Sequence, residues 1–144
     1  MGRVEGIWIK RGSGAPMDAA TSAQLAAGRG IVGNANQRGK RQVTLLSAEY
    51  WSSLTAHLGT LDPGIRRANL LLSDIDLRQS RGKTLQVGAI RILIHGEVRP
   101  CEQMDEVCPG LRLALSVPWG GGAFGEVLDD GAITIGDAAN WVEP

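Results

Sequence analysis

The sharpest chemical feature of this chain is a cysteine directly after a proline, at the point where one residue pattern gives way to another. In residues 90–98, Ile90, Ile92, Ile94 and, past a glycine, Val98 are apolar at nearly alternate positions, with Arg91 and Glu97 on the other side. That is the period of a half-buried strand. Pro100 has no N–H and pushes Arg99 out of the helical region, so the ladder must end there and the chain must turn. Cys101 follows, and residues 101–107 suit a short helix, with Glu102, Gln103, Met104 and Glu106. A thiol at a strand end, near a helix start and two residues from Arg99, is placed where ionised sulfur is favoured, and ionised sulfur is the form that binds metals and attacks electrophiles. The same residue also suits a small buried hydrophobe.

The remaining candidates are few. The second cysteine is Cys108; if 101–108 is one helix, the two Cα atoms lie ~10 Å apart, beyond a disulfide's reach. The histidines are His57 and His95, and neither has metal-ligand spacing to a cysteine. His95 reads as a strand residue and Cys108 as packing. The 144 residues carry 15 Lys/Arg and 15 Asp/Glu, and a formal charge of zero argues against non-specific nucleic-acid binding. The distribution is uneven. Residues 1–100 hold 14 basic and 7 acidic side chains, whereas 101–144 hold one arginine and eight acids. A basic first part could line a site for a phosphorylated ligand. In residues 28–41, loop-forming positions carry Arg29, Arg38, Lys40 and Arg41, offering N–H groups and cations to an anion, without a Walker pattern.

The elements that must position these residues are short. Residues 4–10 read as a β segment, 42–46 as a strand, and Ser47 as the cap of a helix to about residue 58, ended by Gly59. Residues 61–67 form an Asp-Pro-Gly turn, 68–72 a short strand and 82–88 a strand between glycines. Residues 15–41 stay open between strand and helix, as do 111–117. Residues 125–137 read as a hairpin, with Asp129-Asp130-Gly131 as its turn. Many short strands, one clear helix and no strand–helix alternation predict a mostly antiparallel sheet rolled into a barrel. The length suits a single domain over residues 1–144. No run approaches a membrane span, and the first residues lack the apolar core of a signal peptide, so a cytoplasmic protein away from membranes is expected.

In order, the pieces G-I-V-G-N, R-Q-V-T-L-L-S-A-E, R-A-N-L, the I-D-L to V-G segment, V-R-P-C and G-E-V-L-D-D-G-A-I-T-I-G-D resemble the MOSC domain, named for the C-terminal domain of molybdenum cofactor sulfurases. The likeness runs over about residues 7–142. It implies a mainly β fold, a MOSC-type barrel of short, mostly antiparallel strands with a few short helices. It also implies association with the molybdenum-pterin cofactor, molybdopterin, with Cys101 either ligating the metal or carrying sulfur. The family's R-x-N segment falls on Arg67 and Asn69, suited to a pterin phosphate. Its ligand-contacting loop falls on Arg38, Lys40 and Arg41, and Arg99 flanks the cysteine. Gly33-Asn34 stands where the family commonly has Gly-Asp, which keeps the shape without the charge.

Three readings follow. The first is an enzyme in which Cys101 ligates molybdenum and N-hydroxylated compounds are reduced by electrons from a separate protein, since the chain has no ferredoxin-type cysteine set and no flavin or nicotinamide fingerprint. The second is a sulfur carrier with a persulfide on Cys101, supplied by a separate donor; pyridoxal phosphate is not expected, because the chain has no room for such a domain. The third is a module that binds cofactor or another anion without turnover. The chain is shorter than relatives with an additional β-barrel domain, which leaves two alternatives: part of the cofactor pocket is missing, or a second subunit completes it, as in a homodimer.

Overall fold

Alternation of apolar side chains decides which face of each strand turns inward, and two glycine-linked shifts adjust that alternation where the chain must do something else. The computed structural model describes residues 2–12, 14–35 and 39–143. In chain order it holds β1 (Gly2–Lys10), β2 (Met17–Ala20), β3 (Ser22–Ala26), β4 (Gly30–Ile31), β5 (Val43–Ser47), helix α1 (Ala48–Thr55), β6 (Leu70–Ser73), β7 (Thr84–Val87), β8 (Ile90–Glu97), helices α2 (Gln103–Val107) and α3 (Leu111–Ala114), β9 (Ala123–Val127), β10 (Gly131–Thr134) and β11 (Ala138–Trp141). Pairing runs β11-β7-β8-β9-β5-β6-β1 and returns from β1 to β11, which closes a seven-strand barrel, with β2 added outside β1. The β5–β6 pair is parallel and the other pairings are antiparallel. A mainly β barrel with a few short helices is therefore the fold. Among the described residues no helix is long and apolar enough to cross a membrane.

The barrel interior is filled by Val4, Ile7, Leu45, Leu70, Leu72, Leu85, Ile92 and Ile94 among others, each 1% exposed or less. Burying each such side chain stabilises the fold by about 1.5–3 kcal/mol. A register shift between Val4 and Gly6 changes which side of β1 faces in. Ile7 and Ile9 then enter the interior, and Trp8 turns outward against a second cluster of Leu46, Trp51, Leu71, Met104, Leu111 and Leu115. That cluster holds all three helices against the outside of β5 and β6. The expected strands at 42–46, 68–72 and 82–88 form within one to two residues of their predicted ends. Ser47 caps α1, its Oγ accepting from the Tyr50 N–H at 3.2 Å, and a 3-10 turn carries the helix to Leu58.

The open stretches resolve. Residues 15–41 supply β2, β3 and β4, and 111–117 open as the short helix α3. The expected hairpin at 125–137 does not form. β9 pairs with β5 and β8, whereas β10 leaves the barrel and pairs with β3 in a small sheet. The turn carboxylates explain the crossing. Asp129 accepts from the Arg91 backbone N–H and guanidinium, each at 2.9 Å. Asp130 accepts from the Ala27 N–H at 2.8 Å. Both acids thus tie the turn to neighbouring strands instead of closing it on itself.

Asn69 clamps three segments at one barrel end. Its Nδ2 donates to the Trp8 carbonyl at 3.1 Å and to Asn34 Oδ1 at 3.2 Å, and its Oδ1 accepts from the Thr44 N–H at 3.0 Å and Thr44 Oγ1 at 3.2 Å. Asn69→Ala leaves several of these groups unanswered, and about 3 kcal/mol of stability should be lost; a urea midpoint equal to the parent's would show that the clamp carries no load. Gly121 lies where a Cβ would collide with the Val98 carbonyl. Gly121→Ala should therefore lower stability by about 3 kcal/mol, read in the same titration.

Candidate functional site

The end of β8 delivers the thiol. After Glu97 the backbone is held once more, by the Val98 N–H donating to the Gly122 carbonyl at 2.8 Å, and Pro100 then turns the chain. Cys101 is exposed and free. Its carbonyl accepts from the Met104 N–H at 3.1 Å, opening the turn into α2. Met104 is buried in the helix-side cluster and so fixes where α2 starts. Packing of an apolar side chain three residues on therefore sets the position of the cysteine.

Cys101 borders a cleft of about 150 Å³ at that end of the barrel. Lys10 reaches it from the end of β1, Arg41 from the loop before β5, and Arg66 and Arg67 from the turn before β6. No carboxylate is among the lining residues. Asn34, Thr44 and Asn69 form part of the wall, and the hydrogen bonds of the Asn69 clamp hold them. The loop carrying Arg41 is pinned by the next residue. Buried Gln42 donates through Nε2 to the Gly28 carbonyl at 3.0 Å and the Gly39 carbonyl at 2.9 Å, and its Oε1 accepts from the Val127 N–H at 3.1 Å.

The two arginines of the turn part company. Asp62 opens a 3-10 turn over Pro63–Arg66 by accepting from the Gly64 N–H at 2.9 Å. The turn closes on Arg67 in the left-handed conformation, φ 65. That reversal sends Arg66 inward, where it is 7% exposed. Its Nε donates to the Gly121 carbonyl at 3.0 Å. Arg67 is half-buried, and its Nη2 donates to the Ala15 carbonyl at 2.6 Å. Burial pushes the Arg66 guanidinium down to about 10; Arg41 adds to the fall and Cys101 partly offsets it. At neutral pH Arg66 is still a cation, held in a place that disfavours cations.

The predicted site residues thus divide. Cys101, Arg41, Arg67 and Asn69 meet on one cleft. Lys40 is exposed in the turn before β5 and is not among the lining residues. Arg99 faces a separate recess with Arg112, Ser116 and Pro118, and its exposed guanidinium lies 3.5 Å from Glu97. Arg38 lies outside the described residues. Sequence reasoning missed Lys10 and Arg66. The signal for Arg66 was the Arg-Arg pair after Pro-Gly, but only the left-handed Arg67 determines which of the two turns inward. His95 sits on β8 with its Nε2 3.0 Å from Glu126 Oε1, and Cys108 packs against the helix-side cluster. Among the described residues no three His, Cys, Asp or Glu side chains gather as a metal-binding group.

No family model matches the chain, and no curated protein matches it. Solved structures do resemble it. YuaD from Bacillus subtilis superposes with a TM-score of 0.80 at 20% identity, over 96% of this chain and 94% of that one. YiiM from Geobacillus stearothermophilus gives 0.73 at 14% identity, over 99% and 76%. YiiM from Escherichia coli gives 0.71 at 13% identity, over 99% and 70%. YiiM is a MOSC-domain protein, so the barrel described above is a MOSC-like fold.

Proposed function

We propose that this chain binds the molybdenum-pterin cofactor through Cys101 and reduces N-hydroxylated compounds with electrons from a separate protein. One observation carries the reading: among the described residues, a solvent-accessible thiol shares a single cleft with four cations and no carboxylate. The donor set suits the group. A thiolate is the soft ligand that molybdenum accepts, and guanidinium and ammonium groups suit a phosphate. With no other metal-binding side chains gathered at Cys101 among the described residues, the remaining ligands would come from the cofactor itself. A cleft of about 150 Å³ is about half the lower bound of ordinary small-molecule pockets. It therefore seats one end of such a cofactor, and the rest would spread over the mouth or against a second subunit.

Within this reading the chain's own groups have separate tasks. Cys101 holds the metal end, Arg41, Arg67 and Lys10 hold the anionic end, and Asn69 keeps the walls in register. The bound group would supply two-electron redox chemistry. Electrons would come from elsewhere, because two cysteines do not make the four-cysteine set of a ferredoxin-type cluster. Exposure of Cys101 also favours a second reading, in which the thiol carries a persulfide to an acceptor protein.

Metal analysis of protein purified from cofactor-making cells separates the two. Near-stoichiometric molybdenum in the parent and none in Cys101→Ser is the expected outcome. A parent without molybdenum would sink the enzyme reading and leave the carrier. Arg41→Ala should weaken cofactor retention about tenfold, the equivalent of ~1.4 kcal/mol for one charged hydrogen bond, with the unfolding midpoint unchanged. Full retention in that variant would remove Arg41 from the site.

A further inference from the structure

Residues 97–118 carry an outer surface that the cleft does not use. Among the described residues six large apolar side chains stand exposed, and three of them, Val107, Leu113 and Val117, fall in this one segment. Leu113 is the extreme, at 80% exposed. Leu111 and Leu115 turn into the apolar cluster outside the barrel, so Leu113, midway between them, points at solvent. Single exposed leucines are ordinary, whereas apolar side chains gathered beside a recess mark a contact surface. Such a recess adjoins α3. Val98, Pro100, Val117 and Pro118 give it an apolar lining, Arg99 and Arg112 stand at its rim, and it encloses about 380 Å³. Arg99 has only a 3.5 Å approach to Glu97. Arg112 is tied through its backbone, by Asp105 and Ser116. Helix α2 packs against α3 and has the opposite sign: with Met104 buried, exposed Glu102 and Glu106 share its outward face.

We infer that residues 97–118 form a two-fold homodimer interface, in which Leu113 enters the partner's recess while Arg99 and Arg112 face the partner's Glu102 and Glu106. The charge pattern selects this occupant. A foreign protein of one sign would be attracted by half of the surface and repelled by the other half. A second copy, turned about a two-fold axis, offers each half its opposite, and the leucine beside each recess then lies across the axis from the recess of the other chain. Cys101 lies inside the same segment, between Pro100 of the recess and Gln103 of the cleft. The second copy therefore stands at the mouth of the cleft and adds wall to a space that one chain leaves at about 150 Å³. That last step rests on the reading of the cleft as the functional site, whereas the dimer itself does not.

The test uses cofactor-free protein at low ionic strength. Sedimentation equilibrium should give a mass twice the 15.3 kDa of the chain. Leu113→Glu should weaken the dimer at least tenfold and leave the thermal midpoint in place, because that side chain already stands in water. Arg112→Glu and Glu106→Arg should each weaken it similarly, and an equimolar mixture of the two should recover it, since the reversed charges then meet across the axis. A parent that stays monomeric from micromolar to millimolar concentration would overturn the inference. So would a dimer indifferent to Leu113→Glu, or a mixture that associates no better than its two components. Should a charge variant fail to fold, the parent and Leu113→Glu decide alone. Alkylation of Cys101 by iodoacetamide, a neutral reagent, should be several-fold slower in the parent than in Leu113→Glu, and equal rates would overturn the placement of the second copy at the cleft mouth. Because no molybdenum is present in any arm, failure here leaves the metal analysis of Cys101→Ser untouched.

Discussion

A buried guanidinium that has no carboxylate partner among the described residues is the constraint around which one end of this barrel is built. Arg66 reaches its place because Asp62 opens a 3-10 turn and Arg67 closes it in the left-handed conformation, and it stays there because a backbone carbonyl of the glycine-rich segment faces it. That carbonyl is available only because residues 120–122 lack side chains. A Cβ at Gly120 would meet the Leu115 carbonyl, one at Gly121 the Val98 carbonyl and one at Gly122 the Leu45 carbonyl. The same close approach brings residue 122 to the end of β8, where its carbonyl takes the Val98 N–H. The anchoring of the buried cation and the turn that delivers the cysteine therefore share one loop.

Barrel closure supplies the rigidity that such an arrangement needs. Seven strands joined by the β1–β11 pairing leave no free edge inside the ring. The parallel β5–β6 pair requires a crossover, and α1 provides it. The crossover returns through the Asp62 turn, so the feature that departs from an antiparallel pattern is also the one that carries Arg66 and Arg67 to the cleft. The apolar cluster outside the barrel serves the opposite wall. Met104 fixes α2 beneath the cysteine, and Leu111 and Leu115 hold α3 behind it. Both walls are set by packing remote from the polar groups they present, which is how a site of surface loops keeps a fixed shape.

Much of this was legible in the residues. Strands with clean alternation, such as 90–98, and the Ser47 helix cap follow from local periodicity and capping, and both formed as expected. The strand-end cysteine followed from Pro100. Where the outcome depended on distant partners, local signals failed. Asp129-Asp130-Gly131 has the composition of a hairpin turn, yet Arg91 and Ala27, far away in sequence, engage the two carboxylates and lead β10 into another sheet. Residues 15–41 were ambiguous because their small side chains satisfy either pattern; pairing with β1 and β10 decided for strands. Arg66 was missed for a related reason. Neighbouring arginines in a turn are indistinguishable until a single backbone dihedral at the second one assigns their directions.

The charge asymmetry along the chain acquires a spatial meaning at the cleft. The basic part of the sequence, up to residue 100, contributes all four lining cations. The acidic part begins next to the cysteine, and its first acids, Glu102, Asp105 and Glu106, would cancel them if they turned inward. They do not. Residues 101, 103 and 104 line the cleft, whereas Glu102, Asp105 and Glu106 are exposed on the other side of the same turn, as helical spacing with Met104 buried requires. Asp105 is further engaged by the Arg112 N–H at 3.0 Å, which ties it to α3. A one-sided helical turn thus lets a strongly acidic segment supply a thiol to a cationic cleft without bringing a carboxylate with it, and that separation keeps the positive charge of Arg66 available to an anion.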